Sequence, residues 1–213
     1  MQVEKTRPQV VDEILSQLSN DYGLSMQREG IHVTDVIYCP RKAFWNKTDP
    51  LSSNIQETMY YLTGLGLQDA LIKSFPAVPI TVDGIWMSPD YYRDGILMEL
   101  KTTMMGQKRL DAFDFPEGWI KQLKAYCYGY KVNKALLIII TLIRRELLTY
   151  VLSFTDEELI MNWIRLLVRA TKLKTCLEMN SIPLEKGFDF ECNNCRYRLR
   201  CGILMEGVKD GTN

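Results

Sequence analysis

Apolar positions follow helical spacing in some stretches of the chain and strand spacing in others, which predicts a mixed architecture. Val10, Val11, Ile14, Leu15 and Leu18 predict a helix over Val10–Tyr22, ended before Gly23. Thr34 is placed to cap a second helix holding Val36, Ile37, Ala43, Phe44 and Trp45, with Pro40 marking a break or a new first turn. Asn46–Asn54 is polar, carries Pro50 and reads as a loop. A long helical pattern over Ile55–Phe75 is weakened by Gly64 and Gly66, and Pro76 and Pro79 then favour extended chain. Two β-rich runs, GIWMSPDYY and ILMELKTT, flank Arg93-Asp94-Gly95. Trp119–Lys131 is a predicted helix entered through Pro116-Glu117-Gly118. Ala135–Ile143 and Leu147–Phe154 are predicted strands joined at Arg144-Arg145-Glu146. Thr155, with Glu158 as capping-box partner, starts a helix that runs through Met179, and Pro183 and Gly187 mark a loop to a cysteine-rich end. This order of elements suits an α/β or α+β domain with a central mixed sheet flanked by helices, and α/β is the expectation.

Length and charge narrow the picture. A chain of 213 residues fits a single domain with its own core. Lys+Arg and Asp+Glu are both 26, which excludes a generally basic nucleic-acid coat; binding to a polyanion would need a local patch or a metal site. The N-terminus has no apolar core of the signal-peptide kind, and Ala135–Ile143 is too short to span a bilayer. The expected location is cytoplasmic, with no membrane association.

Asp-Gly between two β-rich runs is a strong hairpin signal. A two-residue turn at Asp94-Gly95 pairs Arg93 with Ile96, Tyr92 with Leu97 and Tyr91 with Met98, and puts Asp90 across from Glu99. Lys101 then shares the face of Glu99. Pro89-Asp90 followed by Glu99-Leu100-Lys101 is a PD-x(8)-ExK pattern. Paired carboxylates hold a divalent ion such as Mg or Mn, which offsets phosphodiester charge and activates water, while a lysine orients that water. A solvated hairpin face is the plain alternative, but Ile96, Leu97, Met98 and Leu100 give the run a half-buried character in which unpaired charge is costly. Gln122 and Tyr126, spaced i to i+4, lie on one face of the following helix, where they would hold a metal-bound water or a phosphate, or simply pack. Asp83 is the second candidate for the first acid, although its odd offset from Asp90 puts it on the opposite strand face.

Six cysteines in a chain expected in the cytoplasm point away from structural disulfides. Cys192-x2-Cys195-x5-Cys201 supplies three thiolates in one compact segment, and four thiolates suit either tetrahedral zinc or a [4Fe–4S] cluster. Cys127 and Cys176 fall on predicted helices and read as buried small residues. Arg196, Arg198 and Arg200 lie among the C-terminal ligands, and Arg41 and Lys42 stand beside Cys39. These cations either compensate thiolate charge or contact phosphate. Tyr197 and Trp45 are candidates to stack on bases, with core packing the expected role of Trp45.

The order of these motifs resembles a known family. Asp90, Glu99-Leu100-Lys101 and QLKAY look like motifs II and III of RecB-type nucleases. VTDVIYCPRKAFW together with CNNCRYRLRC is similar to the CRISPR-associated exonuclease family Cas-four. The resemblance spans roughly residues 31 to 202. It implies a PD-(D/E)xK core over about 55–180 and a cluster subdomain formed by about 31–50 with about 188–206. It implies Cys39 as the fourth ligand of a [4Fe–4S] cluster. It also implies Mg or Mn held by Asp90, Glu99 and the Leu100 carbonyl, with Lys101 assisting water. The implied activity is exonuclease action on single-stranded DNA or overhangs, in some members for capture by the CRISPR integrase. A DNA-end-binding adaptor without turnover is the alternative. The family's histidine ligand, in a Gly-x-x-x-His pattern, is replaced here: Gly64-Leu65-Gly66-Leu67-Gln68 puts Gln68 at that position, and its carbonyl oxygen is a weaker ligand for most transition metals. His32, the chain's single histidine, precedes Cys39 and reads as structural.

Overall fold

The computed structural model describes residues 28–72 and 77–202, with isolated helical positions between 9 and 17. Of the predicted Val10–Tyr22 helix, Glu13, Ile14, Ser16 and Gln17 are helical; the other positions lie outside the described residues. A short strand β1 (Ile31–His32) leads into α1 (Val33–Ile37). His32, not Thr34, is the N-cap of α1, and the Asp35 carboxylate accepts its backbone N–H at 3.0 Å. Burial, then Arg28, lowers the His32 pKa, and its ring stacks 6.3 Å from Trp86, so it is a structural residue as expected.

Pro40 opens a new helix, α2 (Pro40–Thr48), with Cys39 at its N-cap. Helix α2 runs into the stretch expected to be a loop. Lys47 donates to the Gly30 carbonyl at 2.6 Å, so tertiary anchoring carries the helix past its polar sequence. Helix α3 (Ile55–Ile72) keeps helical geometry through both glycines, with Phe75 outside the described residues. A Cβ on Gly66 would meet nothing within 4 Å.

The predicted single run over GIWMSPDYY is split. Strands β2 (Ile80–Val82) and β3 (Ile85–Met87) form a first hairpin around Asp83-Gly84, whose φ values are 50° and 78°. Strand β4 (Tyr91–Arg93) belongs to a different sheet. Pro89 offers no N–H to a ladder, and the chain bends at Ser88-Pro89-Asp90 between the two. The second hairpin joins β4 to β5 (Ile96–Thr103) through Asp94-Gly95 at φ 52° and 76°, in the expected register: Tyr91 with Met98, Tyr92 with Leu97, Arg93 with Ile96. Both turns need left-handed backbone at two successive residues, which Asp and Gly supply at low cost.

Strand β5 pairs in parallel with β6 (Lys134–Thr141), which pairs antiparallel with β7 (Glu146–Ser153). The parallel step needs a crossover, supplied by α4 (Gln107–Asp111) and α5 (Glu117–Tyr130). The sheets are ordered β1-β3-β2 and β4-β5-β6-β7, so the expected central sheet is accompanied by a small second one. Helix α6 (Asp156–Glu178) starts at the predicted capping box, Thr155 accepting from the Glu158 N–H and Glu158 from Thr155. Leu97, Leu137 and Ile139 of the larger sheet, Leu123 of α5, and Trp163, Leu166 and Leu173 of α6 are buried in one core. Each such side chain contributes about 1.5–3 kcal/mol of burial. Cys127 is buried there, as expected, and desolvation pushes its thiol up to about 12. The last element is α7 (Asp189–Asn193), which carries Cys192.

Candidate active site

Glu99 and Lys101 alternate along β5 onto one face, and α5 packs over that face. The Lys101 ammonium donates to Glu99 Oε1 at 2.8 Å and to Gln122 Oε1 at 2.9 Å. Gln122 Nε2 donates to the same Glu99 oxygen at 2.9 Å and to the Tyr126 hydroxyl at 3.0 Å, and Tyr126 donates to the Ser88 carbonyl at 3.2 Å. Gln122 and Tyr126 are therefore buried members of a network that fixes Glu99 and Lys101 from α5. The expected spacing put them on the right face, and the structure gives them protein partners rather than solvent.

Glu99 is 3% exposed, and its second oxygen, Oε2, is buried without any hydrogen-bond partner. In an interior of low dielectric, a bare carboxylate oxygen of this kind is costly. Asp90 approaches from the bend before β4. Its Oδ2 accepts the Leu100 N–H at 2.7 Å and its Oδ1 accepts Gln68 Nε2 at 2.5 Å. The ladder of β4 stops at Tyr91, so the Asp90 side chain, not its backbone, completes the pairing with β5. Burial, reinforced by the Glu99 charge, raises the Asp90 carboxyl to about 7. Burial by itself lowers the Lys101 pKa, but Glu99, followed by Tyr38, outweighs it and raises it. Burial and then Glu99 hold the Tyr126 phenol well above its usual range.

Gln68 reaches the site from α3, as its position in the glycine-containing run predicts, but it presents an N–H to Asp90 and not its carbonyl. Its use as an oxygen ligand requires the amide to turn over. Asp83 is not part of the site: it sits in the first hairpin turn and accepts the Trp163 indole N–H at 2.8 Å. Beside the carboxylates lies a cleft of about 220 Å3, between α3 and the start of α5, that includes Tyr60, Tyr61, Gln68, Lys101 and Trp119. Tyr60, Tyr61 and Trp119 were not singled out from the sequence. Trp119 stands three positions before Gln122 on the same helix, and that spacing is the one available signal.

The cysteine-rich end folds back onto α2, which brings the distant Cys39 together with the C-terminal trio. Gly187 packs against Cys39 so closely that an added Cβ would stand 2.8 Å from the Cys39 Cα. All six cysteines are free thiols. Burial raises the Cys192, Cys195 and Cys201 thiols, and Cys39 adds to the rise in each. Trp45 Nε1 is buried without a regular hydrogen bond and lies beside Cys201, whose thiol it pulls down. Among the described residues, no group of three or more His, Cys, Asp or Glu side chains is arranged to hold a metal ion.

The cations near these cysteines are largely committed to the fold. Arg41 donates to the Pro183 and Leu184 carbonyls, both at 2.9 Å. Lys42 pairs with Glu57 at 2.8 Å, and Arg196 lies 3.4 Å from the same carboxylate while donating to the Leu51 carbonyl and Ser53. Arg200 pairs with Asp49 at 2.6 Å, and Arg198 donates to the Asn193 carbonyl at 3.4 Å. Tyr197 is fully buried, its hydroxyl donating to Asn46 Oδ1 at 2.8 Å and accepting from the Leu51 N–H at 3.1 Å. Stacking of Tyr197 on a base is thereby excluded in this arrangement, because the ring is core. Trp45 stacks on it at 6.5 Å, the packing role expected for it.

No protein-family model and no curated protein sequence matches the chain. Solved structures do match. The SSO0001 protein is similar over 90% of this chain and 96% of its own, at 21% identity and a TM-score of 0.58. A phage-related exonuclease from Haemophilus somnus 129PT is similar over 71% of this chain and 96% of its own, at 10% identity and a TM-score of 0.52. The alkaline exonuclease LHK-Exo from Laribacter hongkongensis is similar over 75% and 95%, at 11% identity and a TM-score of 0.51. At these identities the likeness shows the fold alone, an α/β core with mixed sheets flanked by helices that this chain shares with those structures.

Proposed function

We propose that the chain is a Mg- or Mn-dependent deoxyribonuclease, an exonuclease that trims single-stranded DNA or overhangs by phosphodiester hydrolysis. The observation that carries this reading is the buried, unpartnered Glu99 Oε2 beside Asp90, with Lys101 already fixed on the other Glu99 oxygen. The similar exonuclease structures support it. Glu99, Asp90 and the Leu100 carbonyl are the groups that would hold a divalent ion, and Gln68 would join them with its amide reversed. Such an ion offsets phosphate charge and lowers the pKa of its water. The protein's own part is orientation. Gln122 locks the Lys101 ammonium, and Lys101 holds the attacking water and the developing charge in place. Tyr126 keeps the Gln122 amide in the one orientation that serves both Glu99 and Lys101.

The four cysteines we assign to a [4Fe–4S] cluster that clasps the C-terminal segment to α2. One tetrahedral zinc requires all sulfurs within about 2.3 Å of a single point. Four thiolates suit either group, and the motif resemblance is what favours a cluster over zinc. The orphaned Trp45 N–H beside Cys201 is a ready donor to a ligating sulfur. Among the described residues no helix is long and apolar enough to cross a membrane; the cytoplasmic setting is part of the proposal. By the motif resemblance, the partner for the trimmed ends would be the CRISPR integrase.

A specific observation favours a second reading, an adaptor that binds DNA ends without turnover: Gln68 donates to Asp90 where the family pattern has a ligand. One assay separates the two. Labelled single-stranded DNA should be degraded with Mg or Mn, and Asp90→Ala and Glu99→Ala should each abolish that degradation while the fold survives by circular dichroism. Binding of DNA ends with no degradation by the wild-type chain at high concentration selects the adaptor.

A further inference from the structure

The cleft beside the carboxylates has a composition that hydrolysis alone does not require. Its floor is β5, with Leu100, Lys101 and Thr102, and Lys101 is the residue whose ammonium Glu99 holds. Its walls are aromatic. Tyr60 and Tyr61 face it from α3, and Trp119 from the first turn of α5. These tyrosines do not belong to the core: Tyr60 is 62% exposed, and α3 buries Glu57 and Thr58 of its first turn while its residues 59–71 stay half-buried or exposed. Gly64 keeps α3 near the floor, its missing Cβ lying 3.8 Å from Thr102 Oγ1. A space of about 220 Å3 is on the scale of one planar base.

We propose that this cleft is a stacking subsite for a single unpaired terminal base of a nucleic-acid strand, with Trp119 as one wall and Tyr60 and Tyr61 as the other. Every base has a π-face, so such a site tolerates any sequence while requiring that the base be unpaired. Lys101 and Gln68 at the base of the cleft are placed for the adjoining phosphate. The inference rests on the nuclease reading for what happens to that phosphate, but the binding itself needs no hydrolysis.

The experiment compares two labelled single strands, one ending in a normal nucleotide and one in an abasic nucleotide, by fluorescence anisotropy with the full chain in EDTA. The wild type is expected to prefer the base-bearing end about tenfold, the scale of one base–aromatic stack. Trp119→Ala should reduce the preference to less than about twofold, and Trp119→Phe should restore most of it. Tyr60→Ala, at an exposed position that does not threaten folding, should lower the preference at least about threefold. A wild type that binds both ends equally or binds neither overturns the subsite, and so does full preference retained in Trp119→Ala and Tyr60→Ala. Preference for the base-bearing end without metal-dependent degradation would leave the subsite standing and remove the nuclease reading. Degradation without that preference would do the reverse.

Discussion

The carboxylate cluster and the cysteine end are both buried constellations, but they are held in opposite ways. Asp90, Glu99, Lys101, Gln122 and Tyr126 fall within a short stretch of chain, and side-chain hydrogen bonds link them to one another or to nearby backbone until a single oxygen, Glu99 Oε2, is left over. The cysteine end joins residues from opposite ends of the chain. Its surroundings are tied by Arg41, Arg196 and Arg200, while the thiols themselves stay free. A site of the first kind is preorganised and takes up a ligand at little cost in order. A site of the second kind would gain further order from the group proposed to bind the thiols, because that group would close a loop of more than a hundred residues.

The comparison predicts that damage to the two regions separates into activity and stability. Glu99→Gln keeps the shape and the hydrogen bond from Lys101 but removes the charge; metal-dependent degradation should fall by about 10³-fold or more, on the order of 4 kcal/mol, in a kinetic assay. The fold should persist, since the network keeps its partners. Cys39→Ala should do the opposite in the chain as isolated from cells. On the proposed cluster, loss of one ligand would release the long loop, and stability to urea should drop by about 5 kcal/mol, the scale of closing a loop of that length. Iron content and visible absorbance should fall with it. If Cys39→Ala unfolds no earlier than the wild type, the two regions do not differ as described here.

A middle-sized effect concerns pH. Asp90 has a carboxyl raised to about 7 in the folded chain, from an ordinary carboxylate value when unfolded. The folded state therefore holds this proton more tightly, so the metal-free protein should lose stability as pH rises through the interval from about 4 to about 7, and Asp90→Asn should flatten that decline. Metal binding must displace the same proton, so apparent Mg or Mn affinity should rise with pH and level off above about 7. Urea titrations in EDTA, paired with calorimetric Mn titrations at three pH values, check both halves. A decline unchanged in Asp90→Asn would assign it to another group.

What was legible in the sequence follows the range of the forces involved. The Asp94-Gly95 turn set the register of Tyr91, Tyr92 and Arg93 because turn chemistry is local. Asp83-Gly84 has the same chemistry, but Pro89 falls inside a run whose composition favours one strand, so the sequence pattern merges what the fold divides between two sheets. The network of Gln122 and Tyr126 was legible as a helix face, but its partners were not, because they depend on how far α5 closes over β5. Least legible were Arg41, Lys42, Arg196 and Tyr197. Their type suggested a phosphate or base surface, and long-range packing turned them inward onto carbonyls, Glu57 and Asn46. The aromatic cleft was missed for the same reason, since its walls come from two helices that only the fold brings together.

The smallest effect lies in the helix that touches both regions. Helix α3 has Glu57 near its start, bound to Lys42 and beside Arg196 of the cysteine end, and Gln68 near its end, bound to Asp90. Gly66 lies between them, where a Cβ would meet nothing, so Gly66→Ala should gain helix propensity without a clash, worth about 0.5–1 kcal/mol. How that gain is expressed sharpens the comparison. If α3 unfolds together with the core, the urea midpoint rises by the corresponding amount with no change in slope. If α3 is instead a locally opening wall held at its two ends, the gain appears in slower amide exchange along 58–66 while global unfolding stays where it was. The second outcome would mean that the cleft opens and closes on the side of α3.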